Sequence, residues 1–266
     1  MTKRQDIAIE SFVKAACKEL RLPTIGSRAA SLADEAGRAN QGHLSYLCAL
    51  LEAEQDDRAE RRRHRRITEA RFPRLKRLED FSFKDAPQIP AATIRELASC
   101  NYIDRAENIV FLGEPGTGKS HLGIALGIAA CMQSRKVRFT TTAALVNELI
   151  EARDDRMLSK LIARYAKVEL LILDELAYVP LAAAEAELLF QVLDERSEVS
   201  ALIVTTNLPF GEWTKVFPEQ RLCKAVVDRL TFNAHIVETG TDSWRFRKTL
   251  ERQQAKGVRR KTTKSA

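Results

Sequence analysis

Hydrophobic and polar positions change their period near residue 107. Before that point, apolar residues recur at helical spacing. Ile7, Ile9, Phe12, Val13, Ala16 and Leu20 predict a helix over 7–21, ended by Leu22-Pro23. Two more helices are predicted over 27–38 and 44–71, with Ile25-Gly26 and Asn40-Gln41-Gly42 as the breaks. Leu44, Leu47, Cys48 and Leu51 give the long helix an apolar stripe at its start only, and Phe72-Pro73 closes the segment. Residues 74–106 read as a connector, with Pro87, Pro90 and one short helix over 91–99.

Beyond it, short apolar runs alternate with helical patterns. Strands are predicted at Ile109–Leu112, Val137–Thr141, Val168–Leu173, Ala201–Thr206 and His235–Glu238. Helices are predicted after Ser120 and over 143–166, 184–196 and 219–231. Strands that are apolar throughout belong to a parallel sheet covered on both faces. The expectation is therefore an α/β core over 107–249 behind a small all-helical N-terminal domain, 1–73. A polar tail, 250–266, is expected to be disordered and is too short for a separate helical lid.

Between the first strand and its helix lies Gly113-Glu114-Pro115-Gly116-Thr117-Gly118-Lys119-Ser120, which fits G-x-x-x-x-G-K-[ST] without a gap. Glycines let successive backbone N–H groups approach a phosphate with no Cβ in the way. The helix N-terminus adds unpaired donors and the positive end of its dipole. Lys119 is placed to reach β- and γ-phosphates, and the Ser120 hydroxyl to ligate Mg²⁺. The pattern implies a nucleotide-binding protein with Mg²⁺ as a cofactor.

Leu170-Leu171-Ile172-Leu173-Asp174-Glu175 delivers two acids at the end of a buried strand, where ligands of open parallel sheets sit. Asp174 is expected to hold Mg²⁺ and Glu175 to take a proton from the attacking water. Asn207 follows the next strand and is either an orienting amide or a turn residue before Pro209. Arg229, in Val227-Asp228-Arg229-Leu230, is either a surface arginine or a donor to transition-state charge.

Charge sharpens this picture because it is unevenly placed. Residues 1–77 hold 17 Lys/Arg against 11 Asp/Glu, residues 250–266 hold 6 against 1, and the stretch between carries a net −4. Basic ends on a mildly acidic centre suggest a polyanionic partner. The densest run holds Arg58, Arg61, Arg62, Arg63, Arg65 and Arg66, with no aromatic residue interleaved. Contact with the backbone of duplex DNA is therefore expected rather than stacking on single strands. A solvated helix face is the alternative, and Asp57–Arg61 fits an i,i+4 pair. Five scattered cysteines without a C-x-x-C pair argue for a reduced, cytoplasmic setting and against a disulfide frame or zinc site. No apolar run is long enough for a membrane span, and no secretory signal is visible.

Gly113 to His121, Leu170 to Leu181, Thr205 to Trp213 and Val227 to Leu230 together resemble the IstB family. Leu20-Arg21-Leu22-Pro23 and Ala49 to Pro73 are similar to it as well, so the likeness covers about residues 15–250. These are AAA+ ATPases that help insertion-sequence transposases and are akin to the DnaC helicase loaders. The resemblance implies a sheet of order 5-1-4-3-2 and adds His121 to the nucleotide site. It also implies Asn207 as a sensor, Arg229 as an arginine reaching a neighbouring subunit's ATP, and Arg245 as a second sensor. Its expected partners are duplex DNA, the transposase of the same element, and further copies of the chain assembling on DNA with ATP. Ala177 stands where the family usually has Gly, and Trp244 where Tyr is common, which leaves the role of Arg245 open. A helicase loader, or a nucleotide-gated DNA scaffold with negligible turnover, are the alternatives.

Overall fold

The protein is described by a computed structural model in which residues 3–249 are placed. The tail expected over 250–266 lies outside the described residues. The chain divides into two compact units, one ending at Arg65 and one beginning at Arg66, so the boundary falls inside a helix rather than at residue 73.

The first unit is helical: α1 (Lys3–Glu19), α2 (Pro23–Arg38) and most of α3 (His43–Ala70). Helix α2 begins at Pro23, four residues earlier than the sequence suggests, and runs through Gly26. Pro23 sits at the helix start, where its missing N–H costs nothing. The Glu54 carboxylate, reaching over from α3, accepts from the N–H groups of Thr24 (2.8 Å) and Ile25 (3.1 Å). It does the work of the absent N-cap side chain. Gly26 is needed for contact rather than for a break, because a Cβ there would lie 3.0 Å from the Cβ of Cys17 on α1.

In the second unit five parallel strands form one sheet: β1 (Asn108–Leu112), β2 (Val137–Thr141), β3 (Leu170–Leu176), β4 (Ala201–Thr206) and β5 (Ala234–Glu238). Their order is β2-β3-β4-β1-β5, the expected 5-1-4-3-2 read from the other edge. Side chains alternate between two cores, as a pleated strand buried on both faces requires. Leu170 and Ile172 face a core built with α6 (Lys119–Met132), while Leu171 and Leu173 face one built with α7 (Thr142–Asp154), α8 (Leu158–Ala166), α9 (Ala183–Arg196) and α10 (Gln220–Thr231).

Residues 74–106 are packed rather than a free connector. Ile89, with Ile94 and Leu97 of α4 (Ala91–Leu97) and Tyr102 and Ile103 of α5 (Asn101–Asp104), joins the α6 side of the core. The helix expected over 143–166 is two helices, α7 and α8. The chain turns between them with Arg156 in the left-handed region at φ 58°, and Met157 N–H closes back on the Ala152 carbonyl at 2.6 Å. Among the described residues no helix is long and apolar enough to cross a membrane.

Candidate nucleotide site

The loop after β1 leaves the strand at Gly113 and enters α6 at Lys119. Gly116 and Gly118 have φ of 89° and 104°, in the region that disfavours a side chain. Space is closed to one as well. A Cβ on Gly116 would strike the Ser243 hydroxyl, and one on Gly118 would lie 2.7 Å from the Phe81 ring. The loop is therefore held from two sides, by the segment before α4 and by the segment after β5. Trp244 N–H donates to the Gly116 carbonyl at 3.1 Å, Glu114 N–H to the Gly240 carbonyl at 3.0 Å, and the Thr117 and Thr239 hydroxyls meet at 2.6 Å.

Lys119 folds back over this loop, donating to the carbonyls of Gly113 (2.6 Å) and Glu114 (2.9 Å). Burial lowers its pKa below the ordinary lysine value, against the pull of Asp174 and Glu114, and Arg245 lowers it further.

The acids reach the site through an irregularity in the sheet. From Leu173 to Leu176 strand β3 takes three steps while its partner β4 takes two, from Val204 to Thr206. That one extra residue is a bulge, and Glu175 within it has φ 61°. Asp174 is buried and Glu175 exposed. The strand does not end at Leu173; it bends there. Left-handed backbone at a glutamate is costly and is typical of sites where geometry serves chemistry.

Asp174 accepts from the Ser120 hydroxyl at 2.8 Å and from the Thr205 hydroxyl on the same Oδ1, while Glu175 N–H donates to Thr205 Oγ1 at 3.0 Å. One hydroxyl on β4 thus holds the Asp174 carboxylate and the backbone of Glu175. A cavity of about 760 Å³ opens over this cluster, of the size of a small-molecule site. Gly116 to His121, Asp174, Glu175, Trp244 and Arg245 line it, together with residues of 73–86. His121 lines it with its Nε2 2.9 Å from the Arg77 carbonyl and its ring edge-on to Phe81 at 5.2 Å. Gly113, Glu114 and Pro115 shape the loop without lining the cavity.

Two expected residues stand apart from the cavity. Asn207 follows β4 and is half-buried. Arg229 on α10 pairs with Asp194 on α9, Nε to Oδ1 2.5 Å, and its guanidinium lies 4.6 Å above the Phe190 ring. Residues that sequence reasoning passed over include Thr205, Phe81 and Asp85, whose carboxylate takes the Trp244 indole N–H at 3.3 Å. Phe81 carried a signal in the pair Phe81-Ser82-Phe83. Thr205 carried none, because its partner is set by a bulge that no local pattern announces.

The arginines of α3 divide by what they bind. Arg58 donates to Glu54 (2.8 Å) and to the Arg21 carbonyl (2.5 Å). Arg61 reaches Glu54, Thr24 and its own helix. Arg63 pairs with Glu60, and Arg66 holds the Ser134 carbonyl and Glu69. Arg62 is exposed with no partner among the described residues, and Arg65 is exposed. The Asp57–Arg61 contact exists, but through the Asp57 carbonyl. The Asp57 carboxylate instead accepts from the Thr24 hydroxyl at 2.8 Å.

A glycine loop at a helix N-terminus, an acid-bearing strand one removed from the loop's own and the order 5-1-4-3-2 define a P-loop nucleotide-binding protein of the AAA+ class. The fold is shared with AMPPCP-bound DnaA from Aquifex aeolicus, with a TM-score of 0.54 and 19% identity over 69% of this chain and 56% of that one. Residues 15–252 match the family described as IstB-like ATP binding protein, and the chain belongs to that family. It is 39% identical, over 93% of its length and 84% of the relative's, to a protein of Sinorhizobium fredii named as an insertion sequence ATP-binding protein. It is 36% identical, over 90% and 96%, to the ATP-binding protein named for insertion sequence IS5376 of Geobacillus stearothermophilus.

Proposed function

We propose that the protein is a Mg²⁺-dependent ATPase that assembles with copies of itself on duplex DNA and directs the transposase of the same insertion element. The observation that carries this reading is the convergence of Lys119, Ser120, Asp174 and Glu175 on one cavity floored by the glycine loop. The residues fit the nucleotide and metal. The loop's close packing excludes side chains where phosphates need backbone donors, and Ser120 and Asp174 present two hard oxygens side by side. Ser120 and Asp174 would hold Mg²⁺, which supplies charge neutralisation on the phosphates.

Within this reading Lys119 leaves the loop carbonyls for the β- and γ-phosphates. Glu175, exposed at the cavity edge, accepts the proton of the attacking water. Thr205 keeps Asp174 and Glu175 in fixed relation. Asn207 orients the water or the γ-phosphate, and Arg245 senses the nucleotide from within the same chain. Arg229, which does not line its own cavity, stabilises transition-state charge on the ATP of a neighbouring copy. The N-terminal helices, through the basic run of α3, hold the duplex by its phosphates. The names of the relatives place them with insertion sequences, which supports a transposase as the partner.

Phosphate release with and without duplex DNA separates this reading from a scaffold with negligible turnover. Glu175→Gln and Arg229→Ala are each expected to bind ATP and hydrolyse it poorly. Mixed in equal amounts they should regain part of the activity, since a Glu175→Gln subunit still offers Arg229 to a neighbour with an intact Glu175. Freely exchanging mixtures that recover nothing would count against Arg229 acting between subunits.

A further inference from the structure

Arg229 is held at three points of its guanidinium. Its Nε donates to Asp194 Oδ1 at 2.5 Å, one Nη1 hydrogen goes to the Ala225 carbonyl one turn back at 3.3 Å, and the Phe190 ring lies beneath the plane at 4.6 Å. Asp194 and Phe190 are four residues apart on α9, so one helix face supplies both the carboxylate and the ring. The side chain is still 30% exposed, and its Nη2 group has no partner among the described residues. An arginine free in solvent samples many rotamers and must give up that freedom to make a specific contact. Here the freedom has already been surrendered, with one edge of the guanidinium fixed and the other left open.

An ion pair on the surface is worth little to stability, so fold maintenance is a weak account of this arrangement. A surface arginine that must place charge within a fraction of an ångström of a reacting group is a strong one. We infer that Asp194 and Phe190 are positioning residues for Arg229, aiming its free Nη2 edge outward for the phosphate group on a neighbouring copy of the chain. This rests on the reading of Arg229 as acting between subunits. The carboxylate takes Nε rather than the Nη edge, so Arg229 can meet the incoming anion without first breaking the pair.

The test is steady-state ATP hydrolysis by the full chain with duplex DNA, together with nucleotide affinity and subunit mixing. Asp194→Ala is expected to lower kcat by up to ~10²-fold, the cost of a small misplacement, with nucleotide affinity and KM within about twofold of the parent. Asp194→Asn keeps the oxygen that accepts from Nε and should retain most of the activity. Asp194→Ala mixed with Glu175→Gln should recover activity, as Arg229→Ala does, whereas Asp194→Ala mixed with Arg229→Ala should not. That places Asp194 in the same functional group as Arg229, on the donating side of the interface, which a merely structural role would not do. Arg229→Ala inactive beside Asp194→Ala at the parent rate would overturn this inference alone. Arg229→Ala at the parent rate would overturn the between-subunit reading and this inference with it. Loss of nucleotide affinity by Asp194→Ala would mark a structural role and overturn the positioning role.

Discussion

In the catalytic unit Ile109, Val110 and Phe111 of β1 are wholly sealed from solvent, whereas in the N-terminal unit Phe12 is 73% and Leu44 83% exposed. The two regions are held by different physics. The sheet unit buries apolar side chains in two continuous cores and rests on area removed from water. The helical unit buries few, among them Cys17, Ala36 and Leu50, and its helices are tied by polar contacts to Glu54 and Asp57. Burial pushes the Glu54 carboxyl up, but Arg58 and the N–H groups of Ile25 and Thr24 outweigh it and leave its pKa below the ordinary value. The contrast teaches where each unit is vulnerable: the sheet unit tolerates small losses spread over many contacts, the helical unit depends on a few groups acting together.

The largest expected effect lies at the nucleotide. Lys119→Ala removes a cation that reaches across the loop, and ATP affinity should fall by roughly 10²-fold or more, the worth of losing charge-assisted bonds to phosphate. Both units should stay folded, because the lysine's partners are loop carbonyls at the edge of a cavity that water can enter. Titration of a fluorescent ATP analogue checks this, and parent-like affinity would break the site assignment.

A middle-sized effect tests whether the catalytic unit also contains a polar tie. Arg196, at the end of α9, is 2% exposed and has no carboxylate partner among the described residues. It donates instead to the carbonyls of Tyr165 (2.5 Å), Val168 (2.9 Å) and Ala201 (2.8 Å), joining the end of α8 to the starts of β3 and β4. Carbonyls near the C-terminus of α8 carry part of the balancing negative charge. Burial lowers the pKa of Arg196 to about 10. Arg196→Met fills similar volume but strands those carbonyls, at a cost of about 3 kcal/mol. The unfolding temperature of this unit should drop by about 6–12 °C, measured by calorimetry. An unchanged temperature would mean that the apolar cores alone set its stability.

How legible these regions were in the sequence follows the same division. Strands β1 and β4, the glycine loop and the acids at 174 and 175 could be read off because apolar runs and glycine spacing are local signals. The packing of 74–106 could not, since two prolines and a seven-residue helix imitate a linker. Ile94 and Leu97 bury themselves against elements distant in sequence. The start of α2 was misplaced because its capping group, Glu54, comes from another helix thirty residues away. The bulge that separates Asp174 from Glu175 is invisible for the same reason: it exists only in the register between two strands.

The smallest expected effect concerns the basic run of α3, and it separates the two uses of arginine there. If the run holds duplex DNA, each phosphate contact contributes about 0.9 to the slope of log affinity against log salt. Arg62, exposed and without a partner among the described residues, is the residue best placed to make such a contact at no structural cost. Arg58, bound to Glu54 and to the Arg21 carbonyl, must give up native bonds to do the same. Arg62→Gln is therefore expected to flatten the slope by about 0.9 while leaving the melting of the N-terminal helices unchanged. Arg58→Gln should do the reverse, destabilising the elbow between α1 and α2 by about 1 kcal/mol with a smaller change in slope. Binding isotherms of a fixed duplex at several salt concentrations, read beside helical melting curves, check both. A slope unmoved by Arg62→Gln and flattened by Arg58→Gln would show that the ties to Glu54 yield to DNA, and that this unit is ordered by its ligand rather than by its own polar contacts.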